Sequence, residues 1–342
     1  MRTRKALPIR ILGAGVAGLT VAFECARAGF GVELWEWRED AGLGCSHLAG
    51  GMLAPCCEAV STEPLVYELG LESLEFWTRT MPVARRRGSL VLAPARDRPE
   101  LVQFARRARD FEALDASGLA ALEPALGGRF DQALFFPTEA HLDPRLAMVE
   151  LTAGLRTFPN VTLRLGEDAR TAPKNAGWTI DCRGYAAQDK LPDLRGVKGE
   201  MLVLFTEEVA LSRPVRLLHP RQPVYIVPRG DGRFMIGATS IENEEAGRIT
   251  ARAMLELLGA AYSLHPSFAE AEIIETGAGL RPAFPDNLPK ILRDGRRIFV
   301  NGLYRHGFLL APALASRVVR MIRDGAYFPE VMDAHSCERQ SA

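Results

Sequence analysis

Three glycines near the start of the chain have the spacing of a dinucleotide-binding loop. The stretch Ile9–Leu12 is apolar, and Gly13, Gly15 and Gly18 follow it as G-x-G-x-x-G. In such a loop the first glycine permits a tight turn, the second lets backbone N–H groups approach a pyrophosphate, and the third lets helix and strand pack closely. The pattern predicts a strand, a turn and a helix that hold the phosphates of a dinucleotide.

A carboxylate completes this fingerprint. The residues Val32–Glu36 read as a second strand, and Glu36 lies 18 positions after Gly18. A carboxylate at this place accepts hydrogen bonds from the ribose hydroxyls of an adenosine and repels a 2′-phosphate. The fingerprint therefore favours NAD or FAD over NADP, and it leaves the chemistry open.

The composition is that of an ordinary globular protein. The chain has 342 residues, of which 47% are hydrophobic, and its 42 lysines and arginines balance 42 aspartates and glutamates. This length suits one large domain or two interleaved ones. The absence of a basic excess argues against a nucleic-acid partner, and no stretch reaches the ~18 apolar residues of a membrane span.

The cysteines carry no metal or redox motif. They show no C-x-x-C and no Cys/His spacing suited to zinc, and they lie at positions 25, 45, 56, 57, 182 and 337. We therefore expect no metal site and a reducing, cytoplasmic location. Adjacent cysteines are poorly placed for a disulfide, so Cys56 and Cys57 are predicted to be two small half-buried residues.

Helical and strand patterns alternate through the first half of the chain. A segment rich in small residues, 42–55, either lies against a ligand or forms a tight loop before a helix. Asp143 is predicted to cap a helix that begins at Pro144. The other elements predicted here are a helix at 63–80, a strand at 88–93, an exposed helix at 98–113, and strands at 132–136, 161–165 and 178–182.

The second half changes to a strand-rich pattern. It predicts strands at 200–205, 224–228, 233–238 and 272–275, with a turn at 231–232, a helix at 249–262, a strand at 296–302 and a helix from about Leu310 to Asp324. We predict an α/β fold with a discontinuous, Rossmann-like dinucleotide-binding domain, 6–80, 141–198 and 276–330. An antiparallel sheet domain for the substrate, 81–140 and 199–275, is inserted into it, and 331–342 forms a tail that is disordered from His335 onward.

Three distant segments share glycine, proline and arginine in places where a small ligand could bind. They are Tyr225–Arg229 (Y-I-V-P-R), Gly279–Pro282 (G-L-R-P) and Asn301–Pro312. Gly279 and Pro282 predict a β-turn around Arg281. Together with the fingerprint and the A-G-G-M-L-A-P loop at 49–55, the three segments resemble the D-amino-acid oxidase family of FAD enzymes, and within it most closely the glycine oxidases of the thiamine pathway. The motifs follow the family order over nearly the whole chain.

The resemblance assigns three residues to the substrate. It implies that Arg281 binds a substrate carboxylate as a bidentate fork, that Tyr225 donates a phenol hydrogen bond to the same carboxylate, and that Arg305 lies near flavin and substrate. Without the resemblance, either arginine could be a solvated surface charge and Tyr225 a core residue. His47 and the Cys56–Cys57 pair depart from the familiar glycine oxidase pattern.

The resemblance also implies how FAD is held. The Gly307–Leu310 segment, a glycine followed by backbone N–H groups that open a helix, would point its positive dipole end at the flavin region that gains negative charge on reduction. No cysteine lies between 183 and 336, so we expect a noncovalent flavin. The predicted cofactor-binding residues are Gly13, Gly15, Val16, Ala17, Gly18, Glu36, Trp37, Ser46, Ala49, Gly50, Gly51, Met52, Ala169, Gly184, Gly302, Gly307, Phe308, Leu309 and Leu310.

The implied reaction is oxidation of a small amino acid. A hydride passes from the α-carbon to the flavin, O2 is reduced to H2O2, and the imine is released, hydrolysed or used for thiazole synthesis. This chemistry fits a chain without an evident Ser/His/Asp or paired-carboxylate site. A D-amino-acid or sarcosine-type oxidase or dehydrogenase stays open, as does a flavin- or NAD-binding module without oxidase activity, and so does a homo-oligomer.

Overall fold

The computed structural model describes residues 7–172, 176–219 and 223–332. The disordered tail predicted from His335 lies outside these residues. Val331 and Met332, which lie at the start of the predicted 331–342 tail, are buried in the largest of the hydrophobic clusters, called here the first hydrophobic core, together with Ile291 and Leu314.

Sixteen strands are formed by the described residues. In chain order they are β1 (Ile9–Leu12), β2 (Val32–Glu36), β3 (Met52–Leu53), β4 (Ser89–Leu92), β5 (Glu112–Asp115), β6 (Gln132–Phe136), β7 (Ala140–His141), β8 (Val161–Leu165), β9 (Trp178–Asp181), β10 (Arg195–Phe205), β11 (Val215–Leu217), β12 (Val224–Gly230), β13 (Arg233–Gly237), β14 (Glu272–Ala283), β15 (Lys290–Asp294) and β16 (Arg297–Asn301).

Eight α-helices accompany these strands in the part of the chain that the structure describes. They are α1 (Val16–Arg27), α2 (Pro55–Glu58), α3 (Pro64–Glu75), α4 (Arg98–Arg107), α5 (Ala116–Leu122), α6 (Pro144–Thr157), α7 (Ala251–Leu264) and α8 (Gly307–Asp324). A π-helical turn, Phe76–Thr80, continues α3, so the helix predicted at 63–80 is confirmed. The Asp143 carboxylate accepts the Arg145 N–H at 2.8 Å and caps α6 as expected.

A largely parallel sheet of six strands carries the fingerprint. Its order is β15-β16-β9-β1-β2-β8, and only β15 runs antiparallel to its neighbour. The central residues Ile11, Leu34 and Ile180 are fully buried and are paired across neighbouring strands, so they share one face of the sheet. This face packs against α1, α6 and α8 in the first hydrophobic core, which includes Leu19, Leu151 and Leu314. The strand, helix and strand of the dinucleotide fingerprint are confirmed as β1, α1 and β2.

A second, mostly antiparallel sheet has eight strands. Its order is β14-β10-β13-β12-β11-β4-β6-β5, with a parallel pair at β11 and β4. Leu257, Ala261 and Leu264 of α7 pack on one face against Leu204 and Ile236, which gives this sheet its own hydrophobic core. The predicted Rossmann-like unit with an interleaved β-sheet is therefore the observed α/β architecture.

The predicted helix at 98–113 was too long. Helix α4 ends at Arg107 because Ala108 is extended and Asp110 has a positive φ of 58°, which turns the chain back. Glu112–Asp115 then pairs with β6 as the edge strand of the second sheet. The last helix was predicted too short, since α8 begins at Gly307 rather than near Leu310.

The longest strand pair crosses the predicted domain boundaries. Strand β10 begins at Arg195, and β14 pairs with it as far as Ala283. Residues 195–198 and 276–283 therefore lie in the second sheet, although the prediction assigned them to the dinucleotide-binding segments. The expected turn at Gly279–Pro282 is a strand, in which Arg281 pairs with Val197. The division into two domains stays a prediction. These two strands move its boundaries, because residues 195–198 and 276–283 belong with the second sheet.

Candidate active site

A deep cavity of about 1320 Å³ lies where the two sheets meet. Most of the residues predicted to bind cofactor or substrate line this cavity, although they come from segments far apart in the chain. The predicted residues that line it are Gly13, Gly15, Val16, Ala17, Glu36, Trp37, Ser46, Ala49, Gly50, Gly51, Met52, Ala169, Gly184, Tyr225, Arg281, Arg305, Gly307, Phe308 and Leu309.

Three predicted cofactor residues do not line the cavity. Gly18 packs against the backbone of Gly13, where a Cβ would overlap the Gly13 carbonyl oxygen, so its place is the close helix–strand contact. Gly302 has a φ of 75° and lies against the Phe284 ring. Leu310 is fully buried in the first core. These three residues support the site through packing.

The first turn of α1 forms one end of the cavity. Gly13 has a φ of 92°, and a Cβ there would lie 2.8 Å from the Cys182 carbonyl oxygen, so the turn requires glycine. The Ser46 hydroxyl accepts the Val16 N–H at 3.1 Å, which joins the small-residue segment to the start of α1. Ala17 follows in the same turn and also lines the cavity. The first N–H groups of an α-helix have no intrahelical acceptor, so the Ala17 N–H is available to a ligand.

Glu36 closes the fingerprint loop as well as lining the cavity. One carboxylate oxygen accepts the Ala14 N–H at 2.9 Å, and the other accepts the Arg38 N–H at 3.1 Å. The side chain is only 7% exposed. Beside it, Trp37 is 64% exposed and lies under the Arg38 guanidinium, 4.3 Å from the ring centroid.

The N-terminus of α8 forms the neighbouring wall, because a Cβ on Gly307 would lie 3.3 Å from the Val16 side chain at the start of α1. Gly307, Phe308 and Leu309 begin this helix, and no side chain caps it among the described residues. Trp77 fixes the first turn, because its indole N–H donates to the Phe308 carbonyl at 2.7 Å. Two helix N-termini therefore meet at one cavity, which suits a ligand with a pyrophosphate and a second electron-rich end. The residues present fit FAD.

Tyr225 reaches the cavity between two glycines. A Cβ on Gly50 would lie 2.5 Å from its ring, and a Cβ on Gly237 would lie 3.0 Å from it. Gly51 has a φ of 74° and approaches the Leu142 carbonyl. Both readings of the small-residue segment hold, since it forms a tight loop before α2 and also lines the cavity.

Arg281 extends from β14 over the backbone of β10. Its Nη1 donates to the Thr239 carbonyl at 2.9 Å, and a Cβ on Gly199 would collide with the guanidinium. Burial lowers the pKa of Arg281, but a guanidinium stays charged at neutral pH. Within the part of the chain that the structure describes, Nη2 makes no hydrogen bond. The cavity edge of the fork is therefore available to an anion.

The end of the cavity around Arg281, which is predicted to bind the substrate, holds more charge than the motifs predicted. Arg305 is exposed to the cavity and lies within electrostatic reach of Arg281. Glu58 also lines this end and forms an ion pair with Arg216 at 2.7 Å. A carboxylate three positions after the end of the A-G-G-M-L-A-P loop was the one available signal for Glu58, and nothing in the sequence connected it with Arg216.

His306 precedes α8 and is buried. Burial lowers the pKa of His306 to about 4, with Glu58 opposing and Arg305 adding to the effect. The imidazole is therefore neutral at physiological pH. His47 lines the cavity near Arg145, and burial lowers its pKa as well. Cys56 and Cys57 are buried rather than half-buried, and both are free thiols.

Two sheets with a shared cavity, which has a dinucleotide-binding loop on one side and Arg281 and Arg305 on the other, define a flavin-dependent oxidoreductase. The chain belongs to the DAO family of FAD dependent oxidoreductases, whose signature matches residues 9–321. Its cofactor is accordingly FAD, and the resemblance stated from the motifs is confirmed. No described helix is long and apolar enough to cross a membrane.

Known proteins resemble this chain over nearly its whole length. A Rhizobium etli protein provisionally named thiamine biosynthesis oxidoreductase ThiO is 54% identical over 92% of this chain and 96% of its own. The glycine oxidase of Pseudomonas aeruginosa is 29% identical over 89% of this chain and 91% of its own. The crystal structure of Bacillus cereus glycine oxidase has the same fold, with a TM-score of 0.80, 21% identity, and coverage of 94% of this chain and 96% of that one.

Proposed function

We propose that the enzyme oxidises glycine or another small amino acid at its C–N bond. The observation that carries this proposal is the Arg281 guanidinium, which is held by Thr239 on one side and open to the cavity on the other. A planar fork in this position matches the geometry of a carboxylate. Tyr225 lies close enough to influence Arg281 electrostatically, and we assign it the second contact to the same carboxylate.

FAD supplies a hydride acceptor when it is bound. In the proposed reaction the substrate loses a hydride from its α-carbon and becomes an imine, and O2 takes up two electrons and two protons to give H2O2. Arg281, Tyr225 and Arg305 orient the substrate, and the N-terminus of α8 places positive charge where the cofactor becomes more negative. Val16, Ala17 and Glu36 hold the adenosine diphosphate half.

The similarity to ThiO and to glycine oxidase favours a place in thiamine synthesis. The imine of glycine, dehydroglycine, would be the product supplied for thiazole formation. A cytoplasmic location and a homo-oligomer stay predictions. A D-amino-acid or sarcosine-type oxidase is the second candidate, because a carboxylate-binding arginine does not by itself select the substrate side chain.

An amino-acid panel tests this proposal. The purified yellow protein is mixed with glycine, sarcosine or D-alanine in air, and peroxide is measured; anaerobic bleaching of the flavin is followed in parallel. We expect the highest kcat/KM with glycine. Bleaching without peroxide would show an acceptor other than O2. A flavoprotein that is neither bleached nor turned over by any of these compounds would refute an amino-acid oxidase.

A further inference from the structure

One carboxylate at the substrate end has no part in the function proposed so far. Glu58 is the last residue of α2, and it lines the same cavity as Arg281, Tyr225 and Arg305. Its side chain is 13% exposed, so it is largely withdrawn from solvent but accessible from the cavity. A carboxylate in such a place normally has partners that satisfy both oxygens.

Arg216 satisfies one oxygen and aims the group. Its Nη2 donates to Oε1 of Glu58 at 2.7 Å, and its Nη1 donates to the Cys57 carbonyl at 3.3 Å. Burial by itself would raise the pKa of Glu58, but Arg216, followed by His306 and Arg305, lowers it to about 2. Glu58 is therefore an anion over the whole working pH range of an ordinary enzyme.

The second oxygen faces a weak neighbour. Nδ1 of His306 lies 3.8 Å from Oε2, which is too long for a hydrogen bond, and His306 is neutral because burial lowers its pKa. Among residues 7–172, 176–219 and 223–332, no hydrogen bond reaches Oε2. The oxygen is free to accept from a donor in the cavity.

The charges at this end match both ends of an amino acid. Arg281 and Arg305 are cations suited to a carboxylate, and Glu58 is an anion suited to a nitrogen that is positive or becomes so. Glu200 is a second cavity carboxylate, and it is hydrogen-bonded to the same Thr239 as Arg281. It is already paired with Lys198 at 2.9 Å and accepts the Thr250 N–H. Glu58 alone of these two has an oxygen to spare.

Resting on the proposed function, we propose that Glu58 binds the substrate nitrogen and stabilises the positive charge that forms on it. The substrate reacts as the neutral amine, after its ammonium group has released one proton to water. As the Cα–H bond breaks, its electron pair would leave as a hydride to the acceptor that FAD supplies when bound, and the nitrogen lone pair would form the C=N bond. The nitrogen then carries a positive charge. A fixed carboxylate beside it lowers the energy of this step, and Arg216 is a positioning residue that holds the carboxylate.

The test compares Glu58→Gln with Glu63→Gln in the holoenzyme. Both changes remove one carboxylate, but Glu63 is an exposed residue outside the cavity. Two ligands are used: glycine, which has a nitrogen, and acetate, which has only a carboxylate. Acetate binding is followed by the flavin absorbance, and glycine turnover by peroxide. We expect Glu58→Gln to lower kcat/KM for glycine at least ~30-fold and to change the Kd of acetate less than ~3-fold.

A conservative variant distinguishes chemistry from folding. Glu58→Asp keeps the charge and should recover part of the activity that Glu58→Gln loses, while Glu63→Gln should match the wild type. If Glu58→Gln retains wild-type kcat/KM, or loses acetate and glycine binding equally, the nitrogen contact is wrong.

The outcome is separable from that of the proposed function. If the wild type oxidises no amino acid, the proposed function fails, and anaerobic glycine binding to the oxidised flavoprotein still decides the contact. A weaker glycine complex with unchanged acetate binding in Glu58→Gln would then support the contact. Equal changes for both ligands, or no glycine binding by the wild type, would overturn it.

Discussion

The Arg281 side chain has a defined conformation because the backbone contacts its guanidinium on two sides. The Thr239 carbonyl accepts a hydrogen bond from Nη1, and the Gly199 backbone packs against the planar face of the guanidinium. We predict that Arg281→Ala raises KM for glycine roughly 10- to 150-fold, which is the range expected for a lost charge-assisted hydrogen bond. Steady-state peroxide assays measure the effect, and the flavin spectrum should stay normal.

A lysine provides the matched variant at this position. Arg281→Lys keeps the charge without the fork, so its KM should lie between those of the wild type and Arg281→Ala. An unchanged KM in the alanine variant would remove Arg281 from the substrate site.

Gly199 gives a second test of the same geometry without touching a charged group. In Gly199→Ala the new Cβ would collide with the Arg281 guanidinium and displace it. We expect KM for glycine to rise at least ~5-fold while FAD content is unchanged, since a displaced fork loses part of a charge-assisted contact. Gly259→Ala in α7 is the control, because a Cβ there meets nothing within 4 Å. Equal KM values in the two variants would contradict the packing seen at Gly199.

At the scale of elements, local patterns predicted what local interactions determine. The spacing of glycines and apolar residues located β1, α1 and β2, and Asp143 marked the start of α6. The expected turn at Gly279–Pro282 was wrong because glycine and proline favour turns locally, whereas this segment is held extended by its partner β10. Such a pairing joins residues about eighty positions apart, and no short window contains it.

The site shows the same division. Arg281 and Tyr225 stand within motifs and could be predicted from them. Glu58 and Arg216 lie 158 positions apart, so their contact exists only once α2 meets β11. The start of α8 was predicted too late for a similar reason. Gly307 is a poor helix former by itself, but Trp77, which is distant in sequence, holds the first turn by donating to the Phe308 carbonyl.

The loop between β1 and α1 depends on Glu36 at the end of β2. Because Glu36 accepts the Ala14 and Arg38 N–H groups, it holds the loop in shape and lines the adenosine end of the cavity. We predict that Glu36→Ala loses FAD at least ~10-fold more readily, since it removes two hydrogen bonds to a charged group. The flavin-to-protein absorbance ratio after gel filtration measures the loss.

The matched variant for this test is Glu39→Ala. Glu39 is exposed just beyond β2 and does not line the cavity, so it should retain FAD like the wild type. If Glu36→Ala also retains FAD fully, Glu36 is dispensable for holding the cofactor.

At the scale of the whole molecule, a buried acid connects three distant segments. The Glu139 carboxylate accepts the Cys57 N–H of α2 at 2.8 Å and the Ser89 hydroxyl of β4, and Glu139 itself directly precedes β7. Burial raises the pKa of Glu139 from 4.5 to about 7, although these hydrogen bonds oppose the shift. The folded protein therefore binds this proton more tightly than the unfolded chain does.

This difference sets the direction of a pH effect on stability. Below pH 4.5 the carboxyl is protonated in both states, and its contribution to stability is fully present. As the pH rises from 4.5 through about 7, the unfolded chain loses the proton first, and on the order of 3 kcal/mol of stability is lost. Above pH 7 the loss is complete, because the folded protein then buries a charge.

Glu139→Gln isolates this effect because glutamine is neutral at every pH and can still accept from Cys57 and donate to Ser89. We predict that the stability of the variant relative to the wild type increases as the pH is raised from 5 to 8. The measurement is the difference between the two thermal midpoints at saturating FAD, taken at pH 5 and at pH 8. Glu63→Gln, an exposed change of the same kind, should follow the wild type at both pH values. If the Glu139→Gln and wild-type midpoints run parallel across this range, Glu139 has an ordinary pKa, and the contact between α2, β4 and β7 imposes no electrostatic cost at neutral pH.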